Sequence, residues 1–170
     1  MSEHIRYAFG QSSIGDFITA LSAQGLVAFE IGDERAALLE TLRARLPQAE
    51  LVEDRIGLAA LIGQLAEVIE HPGRDPGLPL DPRGSDYERR VWSALRKIPA
   101  GRTASYCEIA TRLGTPREAR EVAEACAANA IAILIPCHRI VKKDGSLSGY
   151  RWGFRRKRTL IAREREAAAA

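Results

Sequence analysis

A chain of 170 residues, 46% hydrophobic and 28% charged, has room for one ordinary domain or two small ones and the composition of a soluble globular protein. No apolar run approaches a bilayer span, Met1–Gly10 holds no apolar signal segment, and Cys107, Cys126 and Cys137 form neither a C-x-x-C pair nor an even set, which argues against a zinc ribbon or disulfide framework and for a reducing cytoplasm. The net charge of +3 hides an asymmetry: residues 1–84 carry seven basic against 13 acidic side chains, and residues 85–170 carry 18 against nine.

In chain order, Phe17–Leu21 and Leu26–Ile31 are short apolar runs on either side of Ala23-Gln24-Gly25, which predicts a hairpin with glycine in its turn. Glu34 to Leu46 sets Leu38, Leu39, Leu42 and Leu46 at helical spacing and stops at Pro47. Leu51-Val52 is a candidate short strand. Ile56 to Glu70 predicts a second amphipathic helix, with His71 a last-turn residue rather than a ligand. Nothing in this half gathers nucleophiles, acids or metal ligands, so its expected role is structural. Residues 71–84 hold four prolines and three glycines and read as an extended linker. The expected division is therefore a structural α+β region over residues 1–80 and a second domain over residues 85–166.

Ser85-Asp-Tyr-Glu88 opens a helix with a capping-box pattern, and Val91, Trp92, Leu95 and Ile98 form its apolar stripe. Ser105–Leu113 and Glu118–Cys126, joined by Gly114-Thr-Pro116, have the order of a helix-turn-helix. That pattern is weak alone and gains weight within the basic half, where a polyanion is the expected partner and solvated surface charge the alternative. Ala130–Ile135 reads as a buried strand or extended segment, and Pro136 ends its pairing and fixes the backbone direction. Cys137 thus stands where a buried segment ends. A buried cysteine is often an inert small hydrophobe, but such a residue does not need the polar pair His138-Arg139 behind it. Phe154 to Arg165 predicts a basic helix with Leu160 and Ile161 turned inward.

Asp81-Pro-Arg-Gly84, Val91-Trp92, Thr103-Ala-Ser-Tyr106, Ala125-Cys-Ala-Ala-Asn129, Ile135-Pro-Cys-His-Arg-Ile-Val141 and Leu147-Ser-Gly-Tyr-Arg-Trp-Gly153 together resemble the O6-alkylguanine-DNA alkyltransferases, and most of all the carboxy-terminal half of their bacterial adaptive-response members. The likeness runs from Phe9-Gly-Gln11 to Arg163-Glu164, and a stand-alone repair unit is expected. It implies a ribonuclease-H-like α+β amino-terminal region and a mostly helical carboxy-terminal domain with a helix-turn-helix. The implied partner is double-stranded DNA containing an alkylated guanine, met from the minor groove by a monomer, with no membrane association. The implied reaction moves the alkyl group from O6 of guanine, and less readily from O4 of thymine, irreversibly to Cys137 after the nucleotide is flipped out of the duplex.

The resemblance also distributes roles. Cys137 is the nucleophile, His138 its base through a water, Glu164 the group that orients His138, and Tyr106 the donor to the departing guanine. The DNA side is assigned Arg120, Asn129, Arg139, Ser148 and Gly149. Of these, Arg120 enters the base stack, Asn129 hydrogen-bonds backbone groups of the turn presenting the cysteine, and Ser148 and Gly149 line the pocket near O6. Backbone carbonyls of Cys137 and Ile140 accept from the exocyclic amine, while Trp92, Tyr150 and Trp152 pack. No cofactor is implied, and no structural metal is expected because the zinc ligands of human-type members have no counterparts in the first half. Four positions depart from the pattern or mark its limits. Glu121 and Glu124 put acids on the DNA-facing helix, which opposes phosphate attraction. Ala128 replaces a frequent glycine, and Ser12 stands where the adaptive-response relative has cysteine. A non-catalytic damage binder would lack Cys137, a helix-turn-helix regulator would need an acid-free recognition helix and a dimerisation element, and a thiol hydrolase would need a turnover route that this motif does not offer.

Overall fold

The alternation Ile5, Tyr7, Phe9 between the polar His4 and Arg6 and the small Ala8 builds a strand absent from the expectations above, β1 (Glu3–Ser12). A computed structural model of the chain describes residues 2–169. β1 pairs antiparallel with β2 (Gly15–Leu21), which pairs antiparallel with β3 (Leu26–Gly32), so the expected hairpin forms. Helix α1 (Arg35–Arg45) then crosses back to β4 (Ala49–Glu53), parallel to β1, and the sheet order is β3-β2-β1-β4. A second helix, α2 (Ala59–Glu70), starts three residues later than its pattern suggests, after a turn in which Asp54 accepts a hydrogen bond from the Gly57 amide at 2.9 Å.

The two sheet faces bury different partners. Ile5, Ile18, Ala20 and Ala28 pack with Leu38 and Leu42 of α1. On the opposite face Phe17, Phe29 and Ile31 join Leu65, Val68 and Ile69 of α2 in a cluster that continues into the second half of the chain. That half contains α3 (Asp86–Leu95), α4 (Tyr106–Arg112), α5 (Ala119–Ala127) and α6 (Phe154–Ala169). The capping box forms at α3: Ser85 Oγ accepts from the Glu88 amide at 3.1 Å and Glu88 accepts from the Ser85 amide at 2.8 Å. The two-residue strands β5 (Ala104–Ser105) and β6 (Ile140–Val141) pair in parallel and bring the start of α4 beside the Cys137–Arg139 turn. The fold is mixed α/β, and no helix among the described residues is long and apolar enough to cross a membrane.

β3 is an edge strand whose open side is covered by two distant segments. The Leu26 amide donates to Pro79 at 2.9 Å and the Asp81 amide to Leu26 at 2.8 Å, so the linker's end lies against the sheet rather than in solvent. Gly25, at φ +151, leaves room for this approach, because a Cβ there would strike the Pro79 carbonyl. Further along, the Phe29 amide donates to Ala130 and the Ala132 amide to Phe29, each at 2.8 Å. The expected strand over residues 130–135 is otherwise a buried turn. Only Ile131 makes a bridge, and Ile133 adopts φ +67, a left-handed conformation rare for a β-branched residue. The chain must reverse there to deliver Cys137 inward, and strain of order 1–3 kcal/mol is offset by full burial of the flanking side chains.

Phe29 contributes both its backbone to this seam and a fully buried ring to the larger core, edge-to-face with Phe17 at 5.4 Å. Phe29→Ala is expected to cost about 3–5 kcal/mol, read as a lowered urea midpoint at unchanged slope.

Candidate active site

Cys137 opens a single 3₁₀ turn, Cys137–Arg139, and is 4% exposed. Its position is set by Asn129, itself fully buried. The Asn129 amide donates to the Ile131 carbonyl at 3.1 Å, the Ile135 carbonyl at 3.0 Å and Cys137 Sγ at 3.4 Å, while its oxygen accepts from the Ile131 amide at 2.9 Å. One side chain thus supplies the polar partners that a strand would have given this segment, and holds the sulfur as well. Asn129 is a clasp on the turn and does not face outward with the DNA-side residues. Burial pushes the Cys137 thiol up to about 11, although the Asn129 amide and the Lys157 charge pull the other way. A thiol shifted in that direction is almost wholly protonated at pH 7, so the sulfur needs a base before it can react.

His138, next in sequence, is completely buried. His138 Nε2 lies 2.7 Å from Glu164 Oε1, and Nδ1 has no hydrogen-bond partner. Burial depresses the imidazole pKa and Glu164 opposes that shift, so the ring is neutral at pH 7. Burial raises the Glu164 carboxyl, but hydrogen bonds from His138 and Arg139 prevail and its pKa is lowered. An ionised Glu164 requires the hydrogen on Nε2, which leaves the Nδ1 lone pair free to accept a proton. No hydrogen bond joins His138 to Cys137 among the described residues.

Arg139 is a correction to the sequence reading. Its guanidinium turns inward, donating to Glu164 from Nε at 3.0 Å and Nη2 at 2.8 Å and to the Ile98 carbonyl from Nη1 at 2.7 Å. With a side chain 11% exposed it is not available to a DNA phosphate; it neutralises the carboxylate behind His138.

Beside the thiol stands a second chain of polar groups. Tyr106 heads α4, with its hydroxyl 2.7 Å from Ser148 Oγ, and Lys157 Nζ donates to the same Ser148 oxygen at 2.8 Å. Lys157 is fully buried and burial lowers its pKa, while the nearby Cys137 and Cys126 sulfurs favour its charge. With Lys157 donating to Ser148, the Ser148 hydrogen can point at the Tyr106 oxygen and free the phenolic hydrogen for a ligand. Lys157 is missing from the sequence-derived set. The signal for it lay in helical spacing: Lys157, Leu160, Ile161 and Glu164 form one inward stripe of α6.

Gly149 is exposed next to the buried Ser148. Arg120 is not gathered in with the others. It lies in the first turn of α5 with a side chain 87% exposed, and its Nε is 3.5 Å from Glu124 Oε1, one turn on. Glu121 is also exposed, and it is Glu124 that touches Arg120. Ala128 ends α5 at φ −84, a right-handed value, so the backbone makes no demand for glycine there. Among the described residues no group of three or more His, Cys, Asp or Glu is placed to hold a metal ion.

A thiol held out of water, a neutral imidazole hydrogen-bonded to a buried carboxylate, and a phenol at the same centre are the parts that a cysteine nucleophile with its own base would need. Comparison with known proteins agrees. Residues 86–166 match the family described as 6-O-methylguanine DNA methyltransferase, DNA binding domain. The chain is 41% identical over 162 residues to the bifunctional transcriptional activator/DNA repair enzyme Ada of Escherichia coli, covering 95% of this chain but 46% of that protein. So the chain spans less than half the length of that relative. It is 35% identical over 157 residues to the inducible methylated-DNA–protein-cysteine methyltransferase of Bacillus subtilis, covering 91% of this chain and 87% of the relative. Among solved structures, Mycobacterium tuberculosis OGT in complex with DNA superposes with a TM-score of 0.79 at 32% identity, covering 95% of this chain and 93% of that one. The chain belongs to the methylated-DNA–protein-cysteine methyltransferase family.

Removing Arg139 would leave Glu164 buried with one cation fewer, so Arg139→Ala is expected to destabilise by about 3–5 kcal/mol in denaturant unfolding at pH 7. The lowered Glu164 pKa adds stability that is present above its ordinary value of 4.5 and lost as pH falls through the depressed native value. The stability gap between wild type and Glu164→Gln should therefore be open at pH 7 and close in acid.

Proposed function

We propose that this protein repairs double-stranded DNA by direct reversal, moving the alkyl group from O6 of guanine, and less readily from O4 of thymine, onto its own Cys137. The observation that carries the reading is a buried thiol clasped by Asn129 beside a neutral, carboxylate-oriented His138 whose Nδ1 has no protein partner. A water between Nδ1 and Sγ completes the proton path. His138 takes the thiol proton through that water, and Sγ attacks the alkyl carbon. The S–C bond forms as the bond from carbon to O6 breaks. Tyr106 donates to the guanine ring, which leaves neutral, and the phenolate regains a proton from the site. The thioether product has no leaving group, so each molecule acts once.

Reaching the base requires extrusion of the nucleotide from the stack. We assign α4 and α5 as a helix-turn-helix and residues 1–80 and 85–166 as its two domains, the first ribonuclease-H-like in its strand order. Arg120 is the residue that fills the vacated place, supported by its exposure at the start of α5. The same helix carries Ala119, Ala123 and Ala127 at spacings of four, a thin face suited to the narrow minor groove. Ser148 and Gly149 form the pocket wall near O6. The protein is read as a monomer of the cytoplasm, where a thiol stays reduced.

Intact-protein mass spectrometry after incubation with methylated duplex is expected to show one methyl per molecule, mapped to Cys137 and absent in Cys137→Ser. Modification of Cys107 or Cys126 in its place, or many turnovers per molecule, would overturn the reading. Arg120→Ala should slow repair of duplex more than reaction with free O6-alkylguanine base, whereas Tyr106→Phe should slow both, by on the order of 10²-fold. Because His138 is a base with a depressed pKa, the rate should stay level from pH 7 to 9 and fall only in acid below the ordinary histidine value of 6.5. In His138→Gln the rate should instead climb with pH toward about 11 as the thiol ionises unaided.

A further inference from the structure

Three charged side chains outside the reaction centre meet at the seam between the halves. Glu30 lies on β3 between the core residues Phe29 and Ile31, and its carboxylate is 2% exposed. An unpaired carboxylate at that depth is strongly disfavoured, so its partners define it. Oε1 accepts from Arg151 Nε at 2.9 Å and from Trp152 Nε1 at 3.3 Å. Oε2 faces Arg45 Nε at 3.4 Å, and neither atom has a hydrogen-bond partner, so that pair is held by charge. Both guanidiniums then reach further. Arg151 Nη1 donates to the Ala127 carbonyl at 3.2 Å and Arg45 Nη1 to the Ala128 carbonyl at 3.3 Å, at the negative end of the α5 dipole.

One carboxylate from the first half thus connects the end of α1, the end of the proposed recognition helix and the loop carrying Ser148 and Gly149. That loop runs between Gly145 at φ +85 and Gly153 at φ +103, two positions with wide backbone freedom. Outside its own turns it is tied by Tyr106 and Lys157 at Ser148, by Lys157 at the Gly149 carbonyl, by Arg156 at the Trp152 carbonyl, by Arg151 at the Ala127 carbonyl, and by Arg151 and Trp152 to Glu30. We infer that Glu30 is a positioning residue for the alkyl transfer: through Arg151 and Trp152 it holds the Ser148–Gly149 wall at a fixed distance from Cys137 and α5. The inference rests on the alkyl-transfer reading above. Glu30 touches neither the thiol nor its base, so it acts mainly on how the guanine is seated, and the charge of its partner Arg151 is only a minor influence on the Cys137 thiol.

The test follows single-turnover reaction of the full chain with free O6-benzylguanine over a concentration series, resolving half-saturation from maximal rate. Glu30→Gln keeps the shape but loses the charge; Arg151→Lys keeps the charge but cannot serve Glu30 and the Ala127 carbonyl together. Both are expected to raise the half-saturating concentration, on the order of tenfold for Glu30→Gln and less for Arg151→Lys, with the maximal rate within a factor of about two. A lowered thermal midpoint with unchanged half-saturation would reduce the cluster to scaffolding and overturn the inference, as would an equal loss in maximal rate alone. If Glu30→Gln does not fold, Arg151→Lys alone decides, on the same split. A wild-type protein that leaves Cys137 unalkylated would sink the alkyl-transfer reading itself, an outcome separate from any difference between variants.

Discussion

A carboxylate cut off from water organises the Cys137 end of this molecule. Glu164 receives His138 from one side and Arg139 from the other, and each of those residues has its orientation fixed by that contact. Remove the ionised oxygen and the imidazole loses its preferred tautomer, the guanidinium loses its counter-charge, and the turn beginning at Cys137 loses the anchor behind it. The Ile98 carbonyl and the Gly101 amide, at the end of the α3 region, join the same centre, so the helix that starts the second half is also tied to it. The charge-assisted pairs here sit where solvent cannot compete, which is the setting in which loss of one partner is most costly.

Reactivity and packing set opposing demands on Cys137. Burial keeps bulk solvent from Cys137 and also suppresses the thiolate, and the group that follows it in sequence is a neutral imidazole and not a cation. The Lys157 charge favours the thiolate, but its ammonium is spent on Ser148 and Gly149. The result is two polar chains on either side of one sulfur, one suited to removing a proton and the other to donating one. Pairs of titratable groups whose surroundings push them in different directions are a common basis for acid and base roles in a single pocket.

How much of this was readable in the sequence depended on how far apart the partners lie along the chain. The capping box at Ser85 and Glu88, the hairpin around Gly25 and the helices with leucine stripes were legible because their determinants fall within a few residues. β1 was equally local and still absent from the reading, although Ile5, Tyr7 and Phe9 alternate as a strand should. Cys137, His138, Tyr106 and Glu164 were marked by resemblance, and the structure gathers them. Arg139 was misassigned because a basic residue beside a nucleophile in a basic half looks like a phosphate ligand; its acid partner is a whole segment away on α6. The buried run 130–135 has the composition of a strand and lacks only a second neighbour, which Asn129 replaces. Glu30 and Arg151 were beyond reach, since nothing local says that a strand glutamate will meet an arginine in the other half.

The covering of the β3 edge bears on how the molecule comes into being. Phe29 finds its backbone partners at Ala130 and Ala132, about a hundred residues further along the chain. Closing a loop of that size carries an entropic cost before any contact repays it, and folds with such distant pairings assemble slowly. The turn that hides Cys137 is built directly onto that pairing. While the chain is being synthesised, the sheet can form as soon as β4 has emerged, yet the Cys137 sulfur stays open to solvent until α6 arrives with Glu164 and Lys157. Cys137 is therefore among the last groups to be enclosed, and until then its thiol ionises at the ordinary cysteine value, below the one that burial imposes.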